Sequence, residues 1–211
     1  MNARTKSALL LLTITVVSAT LARDLSWTGA SSTIWNMTAQ NWKDEAGADC
    51  AFANDDGVTI GGATPTLTLA ANVRPSRILF DFSSTLAFGF DGESKFLSGI
   101  GSFVKDGAGT LALTATGGKQ AFRDYNGDVT VQSGALVLSG ANQYASFGGV
   151  NTGTFFIENG GTLQVVHRNC FGKVDALDGC LASVFVKKGG AFQLGPDGSS
   201  HTGNTIKNLT L

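Results

Sequence analysis

The 211-residue chain predicts an all-β fold: a right-handed parallel β-helix, or β-solenoid, with an aromatic-rich N-terminal cap. Three observations carry this. First, a Gly-x-Leu-x-Leu pattern recurs. It stands at Gly109-Thr110-Leu111-Ala112-Leu113, Gly134-Ala135-Leu136-Val137-Leu138, Gly161-Thr162-Leu163-Gln164-Val165 and Gly190-Ala191-Phe192-Gln193-Leu194. Second, the first large apolar residues, Leu111, Leu136, Leu163 and Phe192, follow one another at steps of 25, 27 and 29 residues. Steps of that size mark similar units that stack and bury their apolar faces on each other. Third, glycine makes up 28 of 211 residues while charged residues are only 15%, against about 7% and 25% in ordinary domains. That balance favours turn-rich strands over charged amphipathic helices. An antiparallel β-sandwich remains the alternative, because period-two alternation alone does not separate the two.

Residues 1–22 read as a signal peptide. Met1-Asn2-Ala3-Arg4-Thr5-Lys6 is a basic start, Ala8 to Ala19 is a 12-residue apolar run, and Thr20-Leu21-Ala22 carries small residues where a signal peptidase reads them. The cut is expected before Arg23. The run is too short to span a bilayer comfortably, and no later segment is long and apolar enough for a transmembrane helix. Without Arg4 and Lys6 the chain keeps 13 basic and 16 acidic residues, a net −3. No basic patch or run accompanies this, so nucleic-acid binding has no electrostatic footprint.

Residues 23–62 read as the cap. Trp27, Trp35 and Trp42 are all the tryptophans of the chain and lie within 16 residues. Large aromatics can close the exposed first layer of a stacked array. Asn54-Asp55-Asp56-Gly57 is a turn signal and Val58-Thr59-Ile60 a strand signal. Residues 63–211 read as the repeat region. Thr66-Leu67-Thr68-Leu69, Ile78-Leu79-Phe80-Asp81-Phe82 and Thr85-Leu86-Ala87-Phe88-Gly89-Phe90 alternate at period two. Leu86 lies 25 residues before Leu111, so the repeat extends upstream without its glycine. Val129-Thr130-Val131, Phe155-Phe156-Ile157 and Val184-Phe185-Val186 each precede a Gly-x-Leu/Phe strand. The joints Gln132-Ser133-Gly134, Glu158-Asn159-Gly160-Gly161 and Lys187-Lys188-Gly189-Gly190 place glycine where the backbone turns a corner at positive φ. Each repeat is then strand, corner, strand, loop, with Leu inward and Ala, Gln or Val outward. About six layers spaced roughly 4.8 Å apart would give a rod near 30 Å long. Asn208-Leu209-Thr210-Leu211 begins a further strand, so the array is expected to be truncated at its C-terminal end.

At these residues the chain resembles the autotransporter-associated β-strand repeat family. Phe103-Val104-Lys105-Asp106-Gly107-Ala108-Gly109-Thr110-Leu111-Ala112-Leu113 is similar to its repeat, as is Val129-Thr130-Val131-Gln132-Ser133-Gly134 through Asn142. Trp27-Thr28-Gly29-Ala30 through Asn41-Trp42 resembles its entry module, and Asn169-Cys170-Phe171-Gly172 stands where the family often has Asn-Ala-Leu-Gly. The resemblance covers residues 24–211. It implies a bacterial protein that is secreted or associated with the outer membrane at the cell surface, with a long β-helical passenger. Many relatives end in an outer-membrane barrel, which this sequence does not contain.

Chemistry-bearing motifs are sparse. The two histidines, His167 and His201, have no His-Glu-x-x-His or Cys-x-x-Cys company, so no standard metal site is expected. No Gly-x-Ser-x-Gly elbow occurs. Gly117-Gly118-Lys119-Gln120 lacks the first glycine and the final Ser/Thr of a phosphate loop. Asp124-Tyr125-Asn126-Gly127-Asp128 begins like a calcium loop but lacks its downstream ligands, and reads as a side-chain-capped turn. Asp55 and Asp56 are adjacent and face opposite ways if extended, so they do not act as a pair. Asp197, between Pro196 and Gly198, is a turn signal. Asp44-Glu45 and Asp91 with Glu93 read as solvated surface charges. Asn36-Met37-Thr38 and Asn208-Leu209-Thr210 match the N-glycosylation pattern, with no role expected in a bacterial export. Cys170 and Cys180, ten residues apart, are the disulfide candidate in an exported chain. Cys50 would then be free, buried or intermolecular, and three unpaired thiols remain the alternative.

The functional expectation is a structural or adhesive surface repeat protein, not an enzyme, with no cofactor. Its expected partners are a host or matrix surface, glycans or other repeat proteins, and it continues into or pairs with further β-helical repeats. Two rival readings stay open. A carbohydrate-active enzyme on a β-helix would need converging carboxylates. A carbohydrate-binding module would need exposed aromatic platforms, with Trp27, Trp35, Trp42 and Tyr144 as candidates.

Overall fold

The parallel strand ladders that the 25-residue steps imply are present throughout the computed structural model. It describes residues 22–63, 65–91, 95–114, 122, 124–139, 153–166, 183–194 and 208–211. His167, His201, Cys170, Cys180, Asn169 to Gly172, Lys119, Tyr144, Glu93, Asp197 and residues 1–21 lie outside the described residues.

The strands run in chain order. The first four are β1 (Asp24–Trp27), β2 (Ile34–Trp35), β3 (Trp42–Lys43) and β4 (Asp49–Cys50). Next come β5 (Gly57–Gly61), β6 (Thr66–Leu69), β7 (Arg77–Asp81), β8 (Thr85–Phe90) and β9 (Ser98–Gly99). Then follow β10 (Ser102–Asp106), β11 (Thr110–Thr114), β12 (Asp124–Tyr125), β13 (Val129–Val131) and β14 (Gly134–Leu138). The last are β15 (Thr154–Ile157), β16 (Gly161–Val165), β17 (Ser183–Val186), β18 (Ala191–Leu194) and β19 (Asn208–Thr210). One sheet stacks β1, β5, β7, β10, β13, β15, β17 and β19 in parallel; a second stacks β2, β6, β8, β11, β14, β16 and β18. Each coil gives one strand to each sheet, which is the geometry of a parallel β-solenoid. The sandwich alternative is excluded, because strands of successive coils pair parallel rather than as hairpins. Eight strands at roughly 4.8 Å spacing make the first sheet about 34 Å long.

Register follows the repeat. Leu86 pairs with Leu111, Leu111 with Leu136, Leu136 with Leu163 and Leu163 with Phe192. The opposite wall is the ladder Val58, Ile78, Phe103, Val129, Phe155, Val184. All of these except the terminal Phe192 are buried, and the core is the seam between the two walls. The corners turn at Gly107, Gly134, Gly160 and Gly189, with φ of 73, 66, 87 and 87°. A Cβ at Gly134 would press on the carbonyl oxygens of Gly109 and Gly107 in the coil beneath, so glycine is required there by both conformation and space.

A third, short ladder is not visible as a pattern in the sequence. Val73 bridges Leu97, and β9 pairs parallel with β12. It brings Val73, Leu97, Phe122 and Tyr125 into the core. Asp124-Tyr125, expected as part of a turn, is therefore a strand. Tyr125 is buried and its hydroxyl donates to the Gly101 carbonyl. Asp128 accepts from the Thr154 amide at 2.9 Å, which ties one coil to the next.

The N-terminal edge of the first sheet is closed by β3, antiparallel to β1, and β4, antiparallel to β3. Trp27 of β1, Trp35 of β2 and Trp42 of β3 are all buried at this end. Their rings meet edge to face, Trp27 on Trp42 at 4.9 Å and Trp35 on Trp42 at 5.2 Å. The aromatic contacts continue through Phe88, Phe80 and Phe103 to Phe122, each step within 6.2 Å.

Candidate functional site

The cap is organised by Asn41, a buried polar residue. Its amide oxygen accepts from the Ser31 and Ser32 amides, both at 2.9 Å; its amide nitrogen donates to Ser32 Oγ at 3.0 Å and the Ile34 carbonyl at 2.7 Å. Its own carbonyl accepts from the Thr28 amide at 2.8 Å and the Thr28 hydroxyl at 2.9 Å. This holds the loop between β1 and β2 over the tryptophans. A carbohydrate platform on Trp27, Trp35 and Trp42 is therefore ruled out, since a sugar stacks only on an exposed face. Asn36 accepts from the Thr38 and Ala39 amides at 2.9 and 2.7 Å, a side-chain-closed turn.

A second polar cluster lies where β1 begins. Asp56 is 2% exposed. It accepts from the Arg23 guanidinium at 2.6 Å, the Arg23 backbone nitrogen at 3.0 Å and the Ala53 amide at 2.9 Å. Burial pushes the Asp56 carboxyl up, but the Arg23 guanidinium and the two backbone donors outweigh it and hold the carboxyl below its usual range. Asp55 instead sits at φ 74° and pairs with Arg74 at 2.8 Å on the exposed side. The adjacent acids thus take separate partners, but through a turn at Asp55 rather than the extended backbone on which their opposite facing was expected. Glu45 accepts from the Asp24 amide at 2.7 Å, and Asp44 closes its turn through the Ala46 and Ala48 amides at 3.0 and 2.9 Å. Cys50 is unpaired and half-buried, and burial raises its thiol.

Inside the stack, one ladder of core positions reads Ile60, Phe80, Lys105, Val131, Ile157, Val186. Lys105 is buried in it. Its Nζ donates to the carbonyls of Asp106, Gly107 and Ser133 at 2.5, 2.8 and 3.3 Å and lies 4.9 Å from the centre of the Phe82 ring. Burial lowers its pKa, with Asp106 and Asp81 opposing. The ammonium satisfies corner carbonyls, so this arrangement is structural.

The outer faces differ. Ala87, Ala112, Val137, Gln164 and Gln193 form the outward row of the second sheet, as expected. The first sheet instead carries Thr59, Leu79, Val104, Thr130, Phe156 and Phe185 in one outward row. Phe156 and Phe185 stack at 5.7 Å. Charged rows flank it, with Arg77 on Asp24 at 2.9 Å and Lys187 on Glu158 at 2.6 Å. The doublets Phe155-Phe156 and Val184-Phe185, apolar on both alternating positions, are the sequence signal for this stripe. At the far end, the core positions Leu194 and Leu209 are 60% and 49% exposed, whereas Val165 and Val184 beneath them are buried.

Open depressions lie on the surface among the described residues. One is bounded by Ala63, Asp81, Phe82 and Ser84, another by Asp55, Arg74, Pro75 and Ile100. The acid in the second is already paired with Arg74, and the first has a single acid. Among the described residues no group of three His, Cys, Asp or Glu side chains could hold a metal ion. No helix among them is long and apolar enough to cross a membrane.

Among the described residues, fold and surface define an all-β repeat protein with extended outer faces. The sequence is 36% identical over 123 residues to a protein named Adhesin BmaC autotransporter, from Brucella suis biovar 1 (strain 1330). The match takes in 57% of this chain and 3% of that protein. The chain is thus distantly homologous to an autotransporter adhesin, and its parallel β-solenoid is consistent with an autotransporter passenger domain. No protein-family profile matches the chain, and no solved structure matches it.

Proposed function

We propose that this chain is a segment of an exported autotransporter-type passenger that serves a structural or adhesive role at the bacterial surface. The distant homology to a named adhesin carries the reading, and the solenoid with its long outer faces supports it. Residues 1–22 are removed on export, and the remaining chain acts without catalysis or cofactor. Contact with a host or matrix surface, with glycans or with other repeat proteins is made by the outward stripe of Leu79, Val104, Phe156 and Phe185, where apolar area is concentrated between charged rows. Further β-helical layers cover Leu194 and Leu209, since an open strand edge with apolar core positions accepts another strand.

The test is binding of purified protein beginning at Arg23 to immobilised matrix proteins, glycan arrays and itself, beside Phe156→Ser/Phe185→Ser. Saturable binding that the double variant loses while keeping its melting temperature supports the reading. Equal binding by both proteins overturns the assignment to this stripe, and failure of cells to export the full chain overturns the surface role.

A further inference from the structure

We propose that removal of residues 1–22 turns the backbone nitrogen of Arg23 into an α-ammonium that docks on the buried Asp56 carboxylate, so that export cleavage itself completes the cap. This rests on the export reading above, in particular on the cut before Arg23. Hydrolysis of the Ala22–Arg23 peptide bond by the export peptidase consumes one water. It leaves a carboxylate on Ala22 and an amine on Arg23, which takes up a proton.

The receiving site already exists. Arg23 N lies 3.0 Å from Asp56 Oδ1. The Arg23 carbonyl accepts from the Gly57 amide at 2.8 Å, so the first rung of the β1–β5 ladder fixes that nitrogen in place. Ala22 is exposed, so its loss removes no packing. Asp56 is among the few buried polar residues in the described part of the chain, and its second oxygen is fixed by the Arg23 guanidinium and the Ala53 amide. An uncut chain offers that carboxylate a neutral amide donor; a cut chain offers a full charge, and a charge-assisted hydrogen bond is roughly twice as strong as a neutral one.

The surroundings favour a cation there. Asp56 approaches from the turn before β5, Asp44 from the turn after β3 and the Cys50 thiol from β4, and Glu45 accepts from the Asp24 amide. The opposing charges are the Arg23 guanidinium itself, Arg77 on β7, which Asp24 engages, and Lys43 on β3, which Asp49 on β4 engages at 2.9 Å. An ordinary α-amino group titrates near 7.7–8.0. A partner carboxylate raises that value in the folded state, so the added stability is fully present below about pH 8 and is lost as pH rises through the folded value.

Three materials test this: protein recovered from exporting cells, protein made to begin at Arg23, and protein made to begin at Ala22. The last keeps every side chain and moves the amine one residue away. Intact mass of the exported protein should place the cut between Ala22 and Arg23. At pH 7 the Arg23 form should melt about 2–4 °C above the Ala22 form, the shift a single such interaction gives a domain of this size. The gap should close above about pH 10, and acylation of the Arg23 amine at pH 7 should be at least several-fold slower than that of the Ala22 amine. A cut elsewhere overturns the proposal through the export reading. A cut at Arg23 with equal melting and equal amine reactivity overturns the ion pair and leaves the export reading standing.

Discussion

Replacing Asn41 with alanine is expected to unfasten the N-terminal cap before the rest of the stack yields. The substitution removes four side-chain hydrogen bonds, two accepted and two donated. Each is worth about 0.5–1.5 kcal/mol net. Ser31 and Ile34 are exposed, so water can take over part of what they lose, and the sum falls at the low end, about 2–3 kcal/mol. In a chain of this length that lowers the melting temperature by roughly 4–12 °C. Stacked arrays can also melt from an end, because each layer contacts only its neighbours. The assay has a built-in local reporter: all three tryptophans lie in the cap, so their fluorescence reads the cap alone while far-ultraviolet circular dichroism reads the whole stack. The Asn41→Ala protein should show a red shift of tryptophan emission several degrees below the loss of strand signal. Coincident transitions within about 2 °C of the parent protein would show that the loop is held by packing instead, and the reasoning would be wrong.

Three further outcomes are expected from the same geometry. Lys105 carries a pKa lowered by burial, so the unfolded chain binds more protons than the folded one as pH climbs toward about 10.4. The Lys105 contribution to stability should rise with pH in that window, so the urea midpoint of the parent should gain on that of Lys105→Met between about pH 8 and 10.5. Gly134→Ala puts a Cβ against the Gly109 and Gly107 carbonyls at φ 66°; it should cost at least about 2 kcal/mol, and an unchanged chemical-denaturation midpoint would refute the close approach. Lys187→Ala breaks an exposed pair with Glu158 and should change stability by less than about 1 kcal/mol, which a single melt can check.

The inward leucines are legible in the sequence because the stack pairs each coil with the next in register, so a spatial ladder becomes a sequence period. Leu86, Leu111, Leu136 and Leu163 align by their spacing alone. The early layers are less legible. Leu67 and Leu69 face the core as the later leucines do, yet no glycine precedes their strand in the repeat's spacing, and β1 reaches the ladder from within the tryptophan-rich segment. The expectation of about six layers therefore falls short of the eight parallel strands of the first sheet. The short third ladder is hidden because one or two residues per coil carry no measurable period. Tryptophan composition points to a cap but does not decide exposure; that depends on Asn41, whose bonds reach back as far as Thr28 across a loop. Lys105 gives no sign of being a core residue, since a charged side chain at a strand position reads as surface until its neighbours show that three carbonyls are waiting for it.

That lysine has a consequence for how the coils find one another. Leucine rungs are interchangeable, so a coil docked one step off would bury nearly the same atoms and lose little. Lys105 is not interchangeable: its ammonium reaches the Ser133 carbonyl of the following coil and lies beside Phe82 of the preceding one. In a slipped pairing the ammonium would keep the Asp106 and Gly107 carbonyls of its own corner but lose the Ser133 carbonyl and the Phe82 ring face, at a cost of about 1–3 kcal/mol. A single polar side chain thus acts as a locating pin, giving an otherwise repetitive molecule one address from which every other layer is counted.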